Sequence, residues 1–126
     1  MTSADIDRGV SALEGVVRDY LDGMVLVDEA RLRRAFHPDA RIIGHFLGGL
    51  EWSTLDEFIE GCRKAGAAPA NEPYFWEILS ADVTGDMAVI KLTDDYQGDR
   101  YTDYLTLLQV DGHWRIVNKT FFVHPR

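Results

Sequence analysis

Four long runs rich in β-branched and aromatic residues fill the second half of this chain. They are Tyr74 to Thr84, Asp86 to Gln97, Arg100 to Val110 and His113 to Val123. The turns between them are short: Gly85-Asp86, Gly98-Asp99 and Asp111-Gly112. Asp-Gly between two such runs is among the strongest hairpin signals, because glycine tolerates the left-handed backbone of a tight turn. Three tight turns in succession force an antiparallel meander. Leu105, Leu107 and Leu108 put apolar groups on both faces of their strand, as Trp114, Ile116 and Val117 do on theirs. A sheet with one wet face alternates more cleanly. One face is therefore expected to meet the helices and a pocket, and the other a partner subunit.

The first half reads as helices. Ile6, Val10, Leu13, Val17, Tyr20, Leu21 and Met24 recur at three- and four-residue steps and make one apolar stripe. Thr2 or Ser3 can cap this helix, and Gly23 is expected to end it. Asp28 is a good N-cap for a short second helix that stops before His37-Pro38. Residues 39–46 read as a strand, with a turn at Leu47-Gly48-Gly49 and a short returning strand from Leu50 to Trp52. Ser53 or Thr54 opens a third helix, Thr54 having capping-box spacing to Glu57. Leu55, Phe58, Ile59 and Cys62 form its buried stripe, and Gly66 ends it. Helices against an antiparallel sheet make an α+β domain.

Length and charge bound the rest. The 126 residues suit one domain, 1–126, with 46% hydrophobic and 27% charged residues. Acids outnumber bases 21 to 13, giving a net charge of -8 and a pI near 4.8. That sign argues against nucleic acid and against an anionic membrane surface. Twelve acids against six bases lie within residues 1–60, so the acidity is that of solvated helix faces. Cys62, the sole cysteine, excludes an internal disulfide and a thiolate metal cluster. The four histidines show no metal-ligand spacing, so no metal is expected. No phosphate-cradling glycine loop or nucleophile elbow is present, and no cofactor is expected. The N-terminus lacks an apolar signal core, and a cytoplasmic location is expected.

Two local patterns identify a family. Phe36-His37-Pro38-Asp39-Ala40 has the form F-x-x-D-A after an amphipathic first helix. Residues 103–119 have the form D-x-L-x-L-L-x-V-D-G-x-W-x-I-x-N-K. Together they resemble the nuclear transport factor 2-like superfamily, in the branch named SnoaL-like or "putative lumazine-binding". The resemblance implies a conical, curved antiparallel sheet, a half-open barrel, closed over a pocket by three helices. It covers nearly the whole chain.

The superfamily's ketosteroid isomerases offer a comparison. The resemblance places Tyr20, sixteen residues before Phe36, and Asp103 at the two positions of their oxyanion hole. It places Gly44 at the position of their general-base carboxylate. Glycine moves no proton, so the isomerase mechanism does not transfer.

Candidate site residues follow. Asp103, in a strand of apolar neighbours, is a candidate acid, base or hydrogen-bond donor. Tyr20 sits on an apolar stripe where its hydroxyl needs a partner. His45 is a candidate base, although alternation puts it on the face of Ile43, opposite Gly44. Asn118 is assigned to the face of Trp114 and Ile116, where an amide could orient a ligand. Trp76, Phe46, Trp52 and Tyr96 are candidate walls. The leading expectation is a homodimer, joined through the outer sheet face, whose apolar pocket binds a small organic molecule. The alternatives are a cofactor-free isomerase, dehydratase or cyclase using Asp103 and His45, and a non-catalytic dimerisation module. The pattern names no ligand.

Overall fold

A computed structural model describes residues 3–126, with side chains from Ser11 onward. The cap assigned to Thr2 or Ser3, and the stripe positions Ile6 and Val10, lie outside the described side chains. The elements are α1 (Ser3–Leu26), α2 (Glu29–Ala35), β1 (Phe36–Phe46), β2 (Gly49–Thr54), α3 (Leu55–Ala65), β3 (Trp76–Thr84), β4 (Met87–Tyr96), β5 (Asp99–Val110) and β6 (His113–Val123). Among the described residues, no helix is long and apolar enough to cross a membrane.

The sheet differs from expectation in two ways. Its strand order is β2-β1-β6-β5-β4-β3. The last four strands form the antiparallel meander, but β1 lies parallel to β6, so the sheet is mixed. Strands β2 and β3 stand at opposite edges and do not pair with each other. A barrel has no edges, so the half-open barrel is replaced by an open six-stranded sheet with three helices. The α+β class stands.

Local chemistry explains the joints. Leu47-Gly48, Gln97-Gly98 and Asp111-Gly112 each carry two successive positive φ values, 51° to 82°. That is the type I′ geometry whose twist matches paired strands. The β4–β5 turn is thus one residue earlier than expected, at Gln97-Gly98. Asp28 caps α2 by accepting from the Arg31 amide, and Thr54 caps α3 in a full capping box with Glu57. Gly23 does not end α1. A Cβ there would come within 2.9 Å of Leu32 Cγ, so glycine serves the close approach of α1 to α2.

The core lies between the helices and one face of the sheet. Leu13, Val17, Tyr20, Leu21 and Met24 of α1 meet Ile90 and Leu92 of β4 and Leu105 and Leu107 of β5. Strand alternation sets what else faces this way. It turns Asp94 of β4 and Asp103 of β5 inward beside those apolar residues, and both are buried.

Candidate functional site

The inward polar groups meet at one end of the core. Tyr20 is fully buried, and its hydroxyl donates a 2.7 Å hydrogen bond to Oδ2 of Asp103, 83 residues away. Asp103 is paired across the ladder with Leu92, and Asp94 with Tyr101, so the two acids are diagonal neighbours on one face. Oδ1 of Asp94 and Oδ1 of Asp103 have no hydrogen-bond partner among the described residues. Burial raises the Asp94 carboxyl to about 8. The negative charge of Asp103 pushes the same way, and Lys119 opposes both. Burial, then the charge of Asp103, drives the Tyr20 hydroxyl well above its ordinary range. Tyr20 is therefore a fixed donor.

Lys119 completes the cluster from β6. It is 5% exposed, and its ammonium lies 4.9 Å from the Tyr20 ring centre, 4.8 Å from Phe58 and 5.3 Å from Phe121. Such contacts stabilise a cation through the negative face of each ring. Tyr20, Phe36 and Phe58 also pack on one another, Tyr20 edge-on to Phe36 at 5.4 Å.

Asp94 and Lys119 line a cavity of about 380 Å³ between α3 and the sheet. Its walls are mainly apolar, from Met24, Phe46, Phe58, Tyr96 and Phe121, and Glu51, Glu57 and Asp99 also line it. This is the usual composition of a small-molecule site: apolar walls with few converging polar groups. Cys62 also lines it, but burial raises its thiol pKa. Among the described residues, no three histidine, cysteine or acidic side chains converge as metal ligands.

The structure brings together four of the expected site residues. Phe46 and Tyr96 line the cavity, and Tyr20 and Asp103 sit bonded beneath it. The other four lie elsewhere. His45 pairs with Leu50 of β2 and is exposed on the outer face, opposite the helices. Trp52, paired with Ile43, is on the same outer face and 64% exposed. Trp76 is at the β3 edge beneath the Arg18 guanidinium, away from the cavity. Asn118 is displaced by a bulge. Leu107 pairs with Ile116 but Thr106 with Asn118, leaving Val117 unmatched. The extra residue inverts the alternation, so Asn118 turns outward, where its amide oxygen accepts from the Thr120 hydroxyl.

The same bulge turns Lys119 inward, which alternation from Ile116 without it would not do. Asp94 was legible: it continues the Ile90, Leu92 alternation. Gly44 also finds its reason. A Cβ there would stand 2.7 Å from the Phe121 carbonyl oxygen and 2.8 Å from its ring. Phe121 therefore occupies the space a carboxylate on β1 would need, and Asp94 enters from β4.

Comparison with known proteins gives four likenesses. The family model described as "Putative lumazine-binding" matches residues 8–122. A protein named "Aldolase FrzH", from a Cladobotryum species, is 27% identical over 111 residues, which is 85% of each chain. Among solved structures, an NTF2-like protein of unknown function from Silicibacter pomeroyi DSS-3 is 35% identical. Its TM-score is 0.89, with 98% of this chain and 100% of that one covered. An NTF2-like protein of unknown function from Shewanella baltica OS155 is 25% identical with a TM-score of 0.86, covering 100% of this chain and 99% of the other.

Proposed function

This chain belongs to the "Putative lumazine-binding" family of the NTF2-like superfamily, and from that premise we propose that it binds a small carbonyl compound in the α3 cavity and moves a proton on it. The observation that carries this is Asp94: a buried carboxyl at the cavity, with one unpartnered oxygen and a pKa near 8. A base is most useful when its pKa lies near the working pH. In its ionised form Asp94 takes a proton from the carbon beside the carbonyl. That C–H bond breaks, its electron pair becomes the C=C of an enolate, and the charge moves to oxygen. Burial sets most of the acidity of Asp94, and the charge of Asp103, which Tyr20 holds by a hydrogen bond, adds to it. The name of the FrzH relative supports the choice of substrate, since aldol chemistry begins with such an enolate.

The test is proton exchange. With cyclohexanone, acetophenone and acetylacetone in H2O, amide shifts near Gly61, Cys62 and Phe121 would report binding. In D2O, loss of the α-proton signal of cyclohexanone or acetophenone faster than in buffer alone would report chemistry. We expect saturable exchange that Asp94→Asn abolishes. No amide shift with any of the three compounds would end the proposal.

A second feature favours a second copy of the chain as partner. Trp52, Phe122, Tyr104, Leu108 and Val89 are exposed and lie on neighbouring strands of the outer face. Monomers seldom leave so broad an apolar surface to water. We propose a homodimer through this face. Sedimentation should give twice the chain mass, and a Trp52→Glu, Tyr104→Glu variant should sediment as one chain. A wild-type protein that remains a monomer at high concentration would refute the dimer.

A further inference from the structure

Lys119 is a buried residue whose ammonium has no salt-bridge partner among the described residues. An ammonium has three donor hydrogens, each able to serve an acceptor. Three ring faces surround it, and these hold charge but accept no conventional hydrogen bond. Among the described residues no carboxylate lies within salt-bridge distance of Nζ: the ion pairs found there all involve arginine. Lys119 lines the cavity together with Asp94. The missing acceptor can come from whatever enters.

We infer that the cavity selects the enolate of a 1,3-dicarbonyl compound, with Lys119 Nζ donating to its charged oxygen. This rests on the proposed proton transfer and names its substrate class. A neutral ketone offers Lys119 only a dipole. A carboxylate offers charge but no proton that Asp94 can remove. A 1,3-dicarbonyl compound offers both. The carbon between its carbonyls is acidic enough for a carboxylate base that titrates near neutrality, whereas a simple ketone is weaker by many powers of ten. Asp94 takes the proton, the C–H pair becomes the C=C, and the oxygen that gains charge accepts from Lys119. Nothing is oxidised or reduced. The apolar walls strengthen this ion pair by keeping water away.

The experiment is ultraviolet difference spectroscopy with acetylacetone near pH 7. The wild-type protein should produce a saturable enolate band, and bound acetylacetone should ionise at lower pH than free acetylacetone. Lys119→Met should weaken enolate binding about tenfold or more, the scale of a lost charge-assisted hydrogen bond. Lys119→Arg should retain most of it, and Lys91→Met should match wild type. Acetylacetone bound with no enolate band, or bound equally by a folded Lys119→Met, would overturn the inference. So would a mass increase equal to acetylacetone minus water, because Lys119 would then be an imine-forming nucleophile. If Lys119→Met does not fold, the wild-type shift in ionisation decides alone. Cyclohexanone separates the two levels. Exchange of its α-protons without any preference for the acetylacetone enolate defeats this inference and leaves the proton-transfer proposal standing.

Discussion

Replacing Asp94 by Asn should stabilise the protein at pH 8. An ordinary aspartic acid loses its proton near 3.8, whereas Asp94 in the fold keeps it to about 8. Between those values the native state holds one proton more than the unfolded chain. Stability therefore falls as pH rises, by ~1.36 kcal/mol per pH unit, and levels off above the folded value. The interval is roughly four pH units, which sets a ceiling of roughly 5 kcal/mol. Native-state relaxation and water in the cavity reduce it, and about 2–4 kcal/mol is expected. Asparagine has the same shape and never ionises. It sacrifices no bond at Oδ1, which is already unpartnered. Urea unfolding of both proteins from pH 4.5 to pH 9 measures the difference, in which the other titrating groups cancel. The curves should nearly meet at the acid end and diverge up to pH 8, with the variant above. A constant offset, or a variant less stable at pH 8, would refute the account of Asp94 as a carboxyl held neutral by burial.

Three further outcomes are expected. The α-proton exchange rate should rise with pH and level off near 8, because only ionised Asp94 acts as a base; NMR exchange rates from pH 5 to pH 9 check it. Tyr20→Phe removes the 2.7 Å bond and leaves a buried acid without its donor, so it should cost about 1–3 kcal/mol in chemical unfolding. Gly44→Ala drives a methyl against the Phe121 carbonyl and ring and should cost about 1–3 kcal/mol, read as a lowered melting temperature.

Local signals were legible and long-range ones were not. The turns at Asp111-Gly112 and Gly85, and the caps at Asp28 and Thr54, act within a few residues, and the elements they bound fall close to their expected limits. The parallel seam between β1 and β6 joins segments far apart, and nothing in either strand states its partner. The absence of closure depends on whether β2 and β3 meet, which no motif reports. The family likeness supplied Tyr20 and Asp103, and the structure joins them. The error at Asn118 and the oversight at Lys119 share one cause: a single unmatched residue, Val117, exchanges the two faces of β6. Asp94 was missed for a different reason. Its neighbours Thr93 and Asp95 make the segment read as a wet hairpin end, although the period of two already pointed it inward.

The seam between β1 and β6 also sets an order of events during synthesis. Phe36 of β1 pairs in register with Ile116 of β6, so the partner emerges about 80 residues later. At ~5–20 residues per second that is a wait of roughly 4–16 s. During it α1, α2 and the β1–β2 hairpin are complete, but the strands that cover the α1 stripe are still being added. The β3–β4–β5 meander assembles from neighbours in sequence and can form as it appears. Strand β6 alone touches both parts, with β1 on one side and β5 on the other. A chain stopped at Val110 would hold two sheet fragments with no strand between them. The last strand made is thus the one that turns two half-sheets into a single protein.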